Sequence, residues 1–540
     1  MFKIFLLASL TVGALSVNSS GPIIDTPLGQ VLGWERLSRD GRWYQAWTGI
    51  PYAQPPVGKL RFMAPVPAQK WSGILNATGD TPMCYQQSPF PGTQSEDCLY
   101  LSVYRPKNGM IKMPVLLRVH GGAFQAGEMG PRENADFLMD EDVVLVQIQY
   151  RLNGFGFMSL GDKIMPGNFG IKDQVMALKW VQKNIAAFGG DANSVTVIGE
   201  SAGAASTHFL LKTPAADGLV HRAVSDSGTV NRMWSLLSSD IVRNATLVAA
   251  EKVGCNIRKS NQEILQCIQQ VAAPKLLAAM GPTAAWQQTF APCIEPKDAE
   301  DAVATEDISM RPVNKPWITS NANGEYTLFK RMSTPQQIAE YHRDLDGYLQ
   351  NFIRYFLKNP EASRVSEGSQ LLKNHYFPVM DPIENFTIEV AEVTANFYFP
   401  YAAFYNLLMH QGPKWYYYFE YVGELSGHNM SQPGANTEVA RHAEQSFYRF
   451  NYGRKGTPED YKVSKRMIKY LVNFAYYDDP TPPGSPMKWN QFNGREFLRI
   501  SSSRSDSMAM NPKYRNSSTS SICGATSWDG SSNYTSLEPQ

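Results

Sequence analysis

Short apolar runs alternate with a helical periodicity between residues 100 and 230. The runs VLLRV (115–119), VVLVQIQY (143–150) and VTVIG (195–199) are rich in β-branched residues, which is typical of strands buried in a mostly parallel sheet. Before the third run, apolar residues recur at helical spacing over 171–188, and Gly189 and Gly190 end the pattern. Strand, helix and strand in this order predict a right-handed crossover in an α/β fold.

The remaining chain adds mostly helical patterns and one late strand. Residues 230–310 are mostly helical in pattern, WYYYFEYV (415–422) predicts a strand, and 459–477 predicts a long amphipathic helix. The last forty residues are rich in serine and weakly periodic. We therefore expect a signal peptide over 1–16, a single domain over 17–500 and a loosely ordered tail over 501–540.

The N-terminus has the layout of a cleaved secretory signal. MFKIFLLASLTVGALS carries one lysine, an apolar run and small residues at Ala14 and Ser16. The final SLEPQ is neither a hydrophobic anchor signal nor an ER-retention tetrapeptide, so the expected destination is the extracellular space. Seven N-x-S/T sites fit this route: Asn18, Asn76, Asn244, Asn385, Asn429, Asn516 and Asn533.

Charge and cysteine content narrow the class of protein. Fifty basic and forty-nine acidic residues leave a formal charge of +1, which argues against nucleic acid or an anionic membrane as partner. In an exported chain, six cysteines favour disulfides over reactive thiols. Cys84 with Cys98 and Cys255 with Cys267 would each close a short loop, and the pairing of Cys293 and Cys523 stays open. No histidine and cysteine cluster has metal spacing, and no cofactor is expected.

A candidate nucleophile lies in GESAGAAS, residues 199–206. The strand VTVI runs directly into Gly199-Glu200-Ser201-Ala202-Gly203, and a helical pattern follows. This is the context of the G-x-S-x-G turn, in which small neighbours allow a strained serine to present its hydroxyl. The structural alternative is one more serine in a turn of small residues.

A nucleophilic serine needs a base, an acid and donors for the developing oxyanion. HGGAF (120–124) follows the strand 115–119, so the expected backbone donors are Gly122, Ala123 and Ala202. The base should follow the acid and lie near the end of a late strand, and both His428 and His442 come after the run 415–422 and before the helix predicted over 459–477. Glu325, in a polar turn after the run 315–320, is the candidate acid. We expect structural roles for His120, His208 and His221.

Several long segments resemble the type-B carboxylesterase and cholinesterase family of the α/β-hydrolase fold. The similar segments are GIPYAQPPVGKLRF, SEDCLYLSVYRP, HGGAF, YRLNGFGFMS, GNFGIKDQVMALKWVQKNIAAFGGD and VIGESAGAAS. The resemblance spans nearly the whole mature chain. It implies an ester hydrolase with a large, mostly parallel central sheet, helices on both faces and helical insertions.

The resemblance also implies roles for individual residues. It places the base at His442 through ARHAEQSFYRF, leaves His428 as the alternative, supports Glu325 as the acid, and pairs Cys84 with Cys98 and Cys255 with Cys267. Two positions depart from the family pattern. Tyr326 stands where glycine usually follows the acid, and Ala123 replaces the third glycine of the loop, which narrows the space for the ester.

The substrate is less defined than the reaction. The stretch between Cys84 and Cys98 lacks the tryptophan with which cholinesterases stack a quaternary ammonium, which argues against choline esters. Glu200 departs from the glutamine typical of juvenile-hormone esterases, and we expect it to line the pocket. A secreted general carboxylesterase acting on small esters remains. A non-catalytic adhesion protein, a hormone or pheromone esterase, and a lipase with a lid at 273–281 are the alternatives. The oligomeric state stays open.

Overall fold

A computed structural model describes residues 21–87, 92–129, 134–281, 289–357, 361–378, 383–426, 439–501 and 505–510. An eleven-stranded sheet organises this described part of the chain, and six of its ten strand pairs are parallel. From edge to edge its strands are β16 (Ser507–Met510), β15 (Glu496–Ile500), β14 (Lys414–Phe419), β13 (Trp317–Ala322), β12 (Arg222–Asp226), β11 (Gly190–Glu200), β9 (Met113–Val119), β10 (Val144–Ile148), β8 (Tyr100–Pro106), β4 (Trp43–Pro51) and β3 (Trp34–Leu37).

The described part of the chain also contains two small sheets and thirteen α-helices, besides short 3₁₀ helices and one π-helical turn. The first small sheet contains β1 (Ile23–Thr26), β2 (Gly29–Leu32) and β5 (Ile74–Asn76), and the second contains β6 (Met83–Cys84) and β7 (Gln94–Ser95). The helices are α1 (Asn153–Phe157), α2 (Phe169–Asn184), α3 (Ala202–Lys212), α4 (Ser239–Lys252), α5 (Asn261–Gln270), α6 (Ala273–Met280), α7 (Tyr326–Met332), α8 (Pro335–Arg343), α9 (Leu345–Leu357), α10 (Ala362–Tyr376), α11 (Ile383–Asn396), α12 (Ala402–Met409) and α13 (Pro458–Tyr477).

Both faces of the central sheet are apolar, as strands covered by helices on both sides require. Along β9, Val115 and Val119 belong to one buried cluster, which also contains Leu178 of α2. Leu116, which points to the opposite face, belongs to a second cluster with Leu471 of α13. The predicted α/β architecture, with helices on both faces, is confirmed.

Four consecutive helices form an insertion with an apolar cluster of its own. Residues of α8 to α11, among them Leu349, Leu372 and Phe386, are buried against one another. A single π-helical turn, Phe397–Tyr401, connects α11 to α12. Across the described ranges, no helix combines the length and the apolar character needed to cross a bilayer.

Most predicted elements lie where the periodicity puts them. The helix predicted over 171–188 is α2, and its last residues form a 3₁₀ turn, Ile185–Phe188. The predicted signal peptide, residues 1–16, lies outside the described residues, as do 511–540 of the predicted tail. Residues 507–510 belong to the segment expected to be loosely ordered, yet they form β16 by antiparallel pairing with β15.

Candidate active site

Ser201 stands at a sharp turn between β11 and α3. Its φ of 56° and ψ of −124° lie outside the regions that L-residues commonly adopt. Small neighbours permit this turn, since a Cβ on Gly203 would lie 2.2 Å from the carbonyl oxygen of Val119. A Cβ on Gly199 would lie 2.4 Å from the backbone of Gly203. The strand, turn and helix predicted from GESAGAAS are therefore all present.

Three backbone amides near this turn have no acceptor among the residues that the structure describes. α3 begins at Ala202, and the first N–H groups of a helix have no partner within it. Gly122 and Ala123, in the loop after β9, have positive φ angles of 108° and 56°. Within the described ranges, the amides of Gly122, Ala123 and Ala202 donate no hydrogen bond. These are the donors that the sequence predicted for an oxyanion.

Glu325 and His442 are in direct contact. Oε2 of Glu325 lies 2.5 Å from Nδ1 of His442, while Oε1 accepts a 2.9 Å hydrogen bond from the amide of Ala322. Both side chains are largely buried, with exposed fractions of 3% for Glu325 and 10% for His442. The amide of Gly324 donates to the carbonyl of Ala440 at 2.7 Å and so joins the two loops. A carboxylate at Nδ1 favours the tautomer that leaves a lone pair on Nε2.

The two departures from the family pattern have different consequences. Glu325 has φ −53° and ψ −32°, and Tyr326 opens α7, so the bulky residue after the acid causes no backbone strain. Ala123, in contrast, has a left-handed backbone, which costs a residue with a Cβ roughly 1 kcal/mol or more. Phe124 shares this conformation, with φ 59°.

A chain of contacts connects the serine turn with the histidine loop. The amide of Ser201 donates to the carbonyl of Asp226, at the end of β12, over 2.9 Å. Gln445, three residues after His442, is fully buried, and its Nε2 donates to Oγ of Ser227 at 3.2 Å. The loop after β14 therefore reaches the strand next to the serine turn.

The carboxylate of Glu200 interacts with a buried arginine and with a backbone amide. Its carboxylate forms an ion pair with Arg118, and Oε1 accepts a 2.9 Å hydrogen bond from the amide of Gly121. The exposed fraction of its side chain is 13%. The carboxylate thus contacts the loop that carries Gly122 and Ala123, and the pocket-lining role of Glu200 stays a prediction.

One aromatic ring contacts the histidine, and further rings lie behind it. The π-helical turn places the ring of Phe399 with its centroid 4.5 Å from that of His442. Trp234 and Phe329 lie 6.0 and 5.9 Å from Phe399, and Phe124 lies 5.9 Å from Trp234. Such a wall suits apolar groups rather than charged ones.

Sequence reasoning missed Arg118, Gln445 and Phe399. Arg118 carried a signal, because an arginine inside an apolar strand needs a buried partner. Gln445 and Phe399 carried none that single-sequence patterns expose, since their partners come from distant segments.

The other histidines of interest are separate from the contact of Glu325 with His442. The His120 ring stacks on Tyr150 at 4.4 Å, and the His208 ring stacks on Trp317 at 4.3 Å. Nδ1 of His221 accepts a hydrogen bond from the amide of Val195 at 3.1 Å. His428, the alternative base, lies outside the described residues.

Both expected disulfides are present, between Cys84 and Cys98 and between Cys255 and Cys267. Cys293 is buried with no sulfur partner among the described residues, and Cys523 lies outside them. Of the glycosylation candidates, Asn76 and Asn244 are exposed. The side chain of Asn385 is not described. The remaining candidates lie outside the described residues, namely Asn18, Asn429, Asn516 and Asn533. Within the described ranges, no three His, Cys, Asp or Glu side chains converge as metal ligands would.

Comparison with known proteins agrees with this architecture. The model of the "Carboxylesterase family" matches residues 20–520 of the 540. The chain is 33% identical to a juvenile hormone esterase of Tribolium castaneum, over 88% of this chain and 86% of the relative. It is 31% identical to venom carboxylesterase-6 of Apis mellifera, over 85% and 86% of the two chains. It is 30% identical to carboxylesterase 1E of Mus musculus, over 94% of each. The chain therefore belongs to the carboxylesterase family of the α/β-hydrolase fold and is a hydrolase of carboxylic esters.

Proposed function

We propose that the protein hydrolyses esters through an acyl-enzyme, with Ser201 as nucleophile, His442 as base and Glu325 as the acid that orients the imidazole. The observation that carries this proposal is the 2.5 Å contact between Glu325 and His442. Further support comes from the strained turn at Ser201, just after β11, and from the contact of Gln445 with Ser227, just after the neighbouring strand β12.

The chemistry follows in two halves. Oγ of Ser201 attacks the carbonyl carbon while Nε2 of His442 takes its proton, and the amides of Gly122, Ala123 and Ala202 stabilise the oxyanion. The carbon–oxygen bond to the alcohol breaks, and the imidazolium returns the proton to the departing alcohol. Water then attacks the acyl carbonyl, gives its proton to Nε2, and the acid leaves as Ser201 recovers its proton.

The aromatic wall beside His442 favours esters with an apolar acyl or alcohol group. Because these rings are already buried, an apolar substrate group that packs beside them would remove mainly its own apolar surface from water, at roughly 25 cal/mol per Å². A hydrolysis panel that varies acyl and alcohol length independently would define the two sides of the pocket. It would also separate a general esterase from a hormone, pheromone or lipid esterase.

Substitution of the nucleophile tests the proposal. We expect Ser201→Ala to lower kcat for a chromogenic short-chain ester at least ~10⁴-fold with unchanged secretion and thermal unfolding. Ser206→Ala, in the same helix and fully buried, is the matched control and should retain activity. A parent protein that hydrolyses no such ester and resists an organophosphate would instead support a non-catalytic binding protein.

We also propose that the protein is secreted and glycosylated. The signal-like N-terminus, the two disulfides and the exposed Asn76 and Asn244 support this. Expressed in a eukaryotic cell, the protein should appear in the medium with an N-terminus near Val17. Its mass should fall on treatment with an N-glycosidase. An intracellular protein that keeps residues 1–16 would contradict the proposal.

A further inference from the structure

Arg118 is a buried charge in the middle of the sheet. It belongs to β9, where it pairs in register with Gln147 of β10 and Ile198 of β11, and 3% of its side chain is exposed. A guanidinium withdrawn from water in this way is costly unless it is paired and hydrogen-bonded. The identity of its partners therefore indicates what the charge is for.

Its partners lead to the serine turn. The guanidinium forms an ion pair with Glu200, the residue before Ser201, and donates a 2.8 Å hydrogen bond to the carbonyl of Val119. It also lies 5.0 Å from the centroid of the Phe450 ring, a cation–π distance. Arg118 thus holds the carboxylate of Glu200 from inside the sheet.

Glu200 also forms a hydrogen bond with the loop that carries the amide donors. Oε1 accepts the amide of Gly121 at 2.9 Å, and a Cβ on Gly121 would lie 2.4 Å from that oxygen. Only glycine allows the carboxylate to sit this close. Because the Gly121 amide is engaged, oxyanion donors from this loop must come from Gly122 and Ala123.

The same loop is held on its other side. The Tyr150 hydroxyl donates to the carbonyl of His120 at 3.0 Å, and Nδ1 of His120 lies 2.9 Å from the carbonyl of Gly121. Burial, followed by the charge of Glu200, raises the pKa of Tyr150 and keeps its hydroxyl protonated as a donor. The peptide groups just before Gly122 are therefore restrained at several points.

We propose that Arg118 and Glu200 form a positioning pair that orients the Gly122 and Ala123 amides, and that the engaged carboxylate selects uncharged over cationic esters. This inference rests on the proposed function. A carboxylate beside the nucleophile could in principle bind a cationic alcohol group. Here its charge is compensated by Arg118, so a cationic substrate gains little from it.

Three variants test the positioning role. Glu200→Gln and Arg118→Met should each lower kcat about 10- to 100-fold and change KM less than threefold, because oxyanion donors act in the transition state. The kcat of the double variant should be no lower than that of the less active single variant, because both substitutions break the same ion pair. Arg118→Lys, which keeps the charge, should recover part of kcat.

A matched pair of esters tests the selectivity. A choline ester and its carbon isostere, in which C(CH₃)₃ replaces N(CH₃)₃⁺, differ only in charge. The parent should prefer the isostere, and Glu200→Gln should lower kcat/KM for both by the same factor. Asp506→Asn is the control, because Asp506 is a buried carboxylate paired with Arg466 beside β16, five strands from β11. Its turnover should match that of the parent.

The outcomes separate the two claims. A parent inactive on both esters would overturn the proposed function itself. An active parent whose kcat is unchanged in Glu200→Gln would overturn the positioning pair. A KM that rises in that variant for the choline ester alone would overturn the proposed selectivity. Arg118→Met could fail to fold, which thermal unfolding would reveal, and Glu200→Gln alone then decides.

Discussion

Both carboxylate oxygens of Glu325 form hydrogen bonds, one with the amide of Ala322 and the other with Nδ1 of His442. The backbone contact fixes the direction of the carboxylate, and the carboxylate in turn fixes the imidazole tautomer. The proposed base therefore depends on a group that does not itself react.

Glu325→Gln tests this dependence. A glutamine keeps the shape but can present an N–H to Nδ1, which favours the tautomer with its proton on Nε2. We expect kcat to fall roughly 10³- to 10⁴-fold with little change in thermal unfolding. Glu295→Gln, a buried carboxylate paired with Lys172, is the control and should cost stability while sparing kcat. Near-parental turnover in Glu325→Gln would remove Glu325 from the proposed triad.

The conformation of the serine turn depends on three secondary-structure elements, because β11, α3 and β9 must pack closely against one another. Gly203 is where they meet, with a Cβ position 2.2 Å from the carbonyl oxygen of Val119. A methyl group there would have to separate α3 from β9, and with it Ser201 from the loop of Gly122.

We expect Gly203→Ala to lower the free energy of unfolding by about 3 kcal/mol and to reduce kcat as well. Gly79→Ala is the control, since nothing lies within 4 Å of a Cβ there. The apparent Tm and the turnover of both variants are the measurements. Equal Tm values for Gly203→Ala and Gly79→Ala would mean that α3 and β9 can separate enough to fit a methyl group at no cost in stability, which would contradict the close contact at Gly203.

Two histidines are buried where α3 and the end of α12 meet β13. His208 stacks on Trp317, and His410 lies 5.3 Å from the same ring and donates from Nε2 to the carbonyl of Lys315. Burial lowers the pKa of His410 to about 4 and that of His208 well below 6.5. Both are therefore neutral in the folded protein near neutral pH.

This burial predicts acid sensitivity. The unfolded chain binds more protons than the folded one between pH 6.5 and 4, so stability is full above 6.5 and is lost as the pH falls. A shift from 6.5 to about 4 corresponds to about 3 kcal/mol for His410. The apparent Tm should fall through this window, and His410→Gln should make the fall shallower. An equally steep fall in the variant would assign the acid sensitivity to other groups.

At the scale of the whole molecule, parallel strands bring distant residues to one edge of the sheet. Ser201, Glu325 and His442 follow β11, β13 and β14, and β11, β12, β13 and β14 are consecutive neighbours with aligned ends. The sequence predicted β11, β13 and β14 from apolar runs but not β12, and it predicted Ser201 because the serine turn is a local motif. Family resemblance was needed to choose His442 over His428.

What the sequence could not predict are contacts between side chains on different elements. The pairing of Arg118 with Glu200 joins two strands across 82 positions, and Phe399 reaches His442 from a π-helical turn that no periodicity indicates. These contacts depend on register and on close packing, which short-range patterns do not encode. The segment 230–310 was predicted to be mostly helical. Its α-helices, α4 to α6, lie within Ser239–Met280.

Covalent labelling with a fluorophosphonate tests the nucleophilic role of Ser201 without a choice of substrate, because the reagent reacts with an activated serine. We expect one adduct per chain, mapped by mass spectrometry to Ser201, and a loss of ester hydrolysis proportional to the labelled fraction. We also expect no adduct in Ser201→Ala and labelling at least ~10³-fold slower in His442→Ala. An adduct on another residue, or continued hydrolysis with Ser201 fully labelled, would contradict the assignment of Ser201 as the nucleophile.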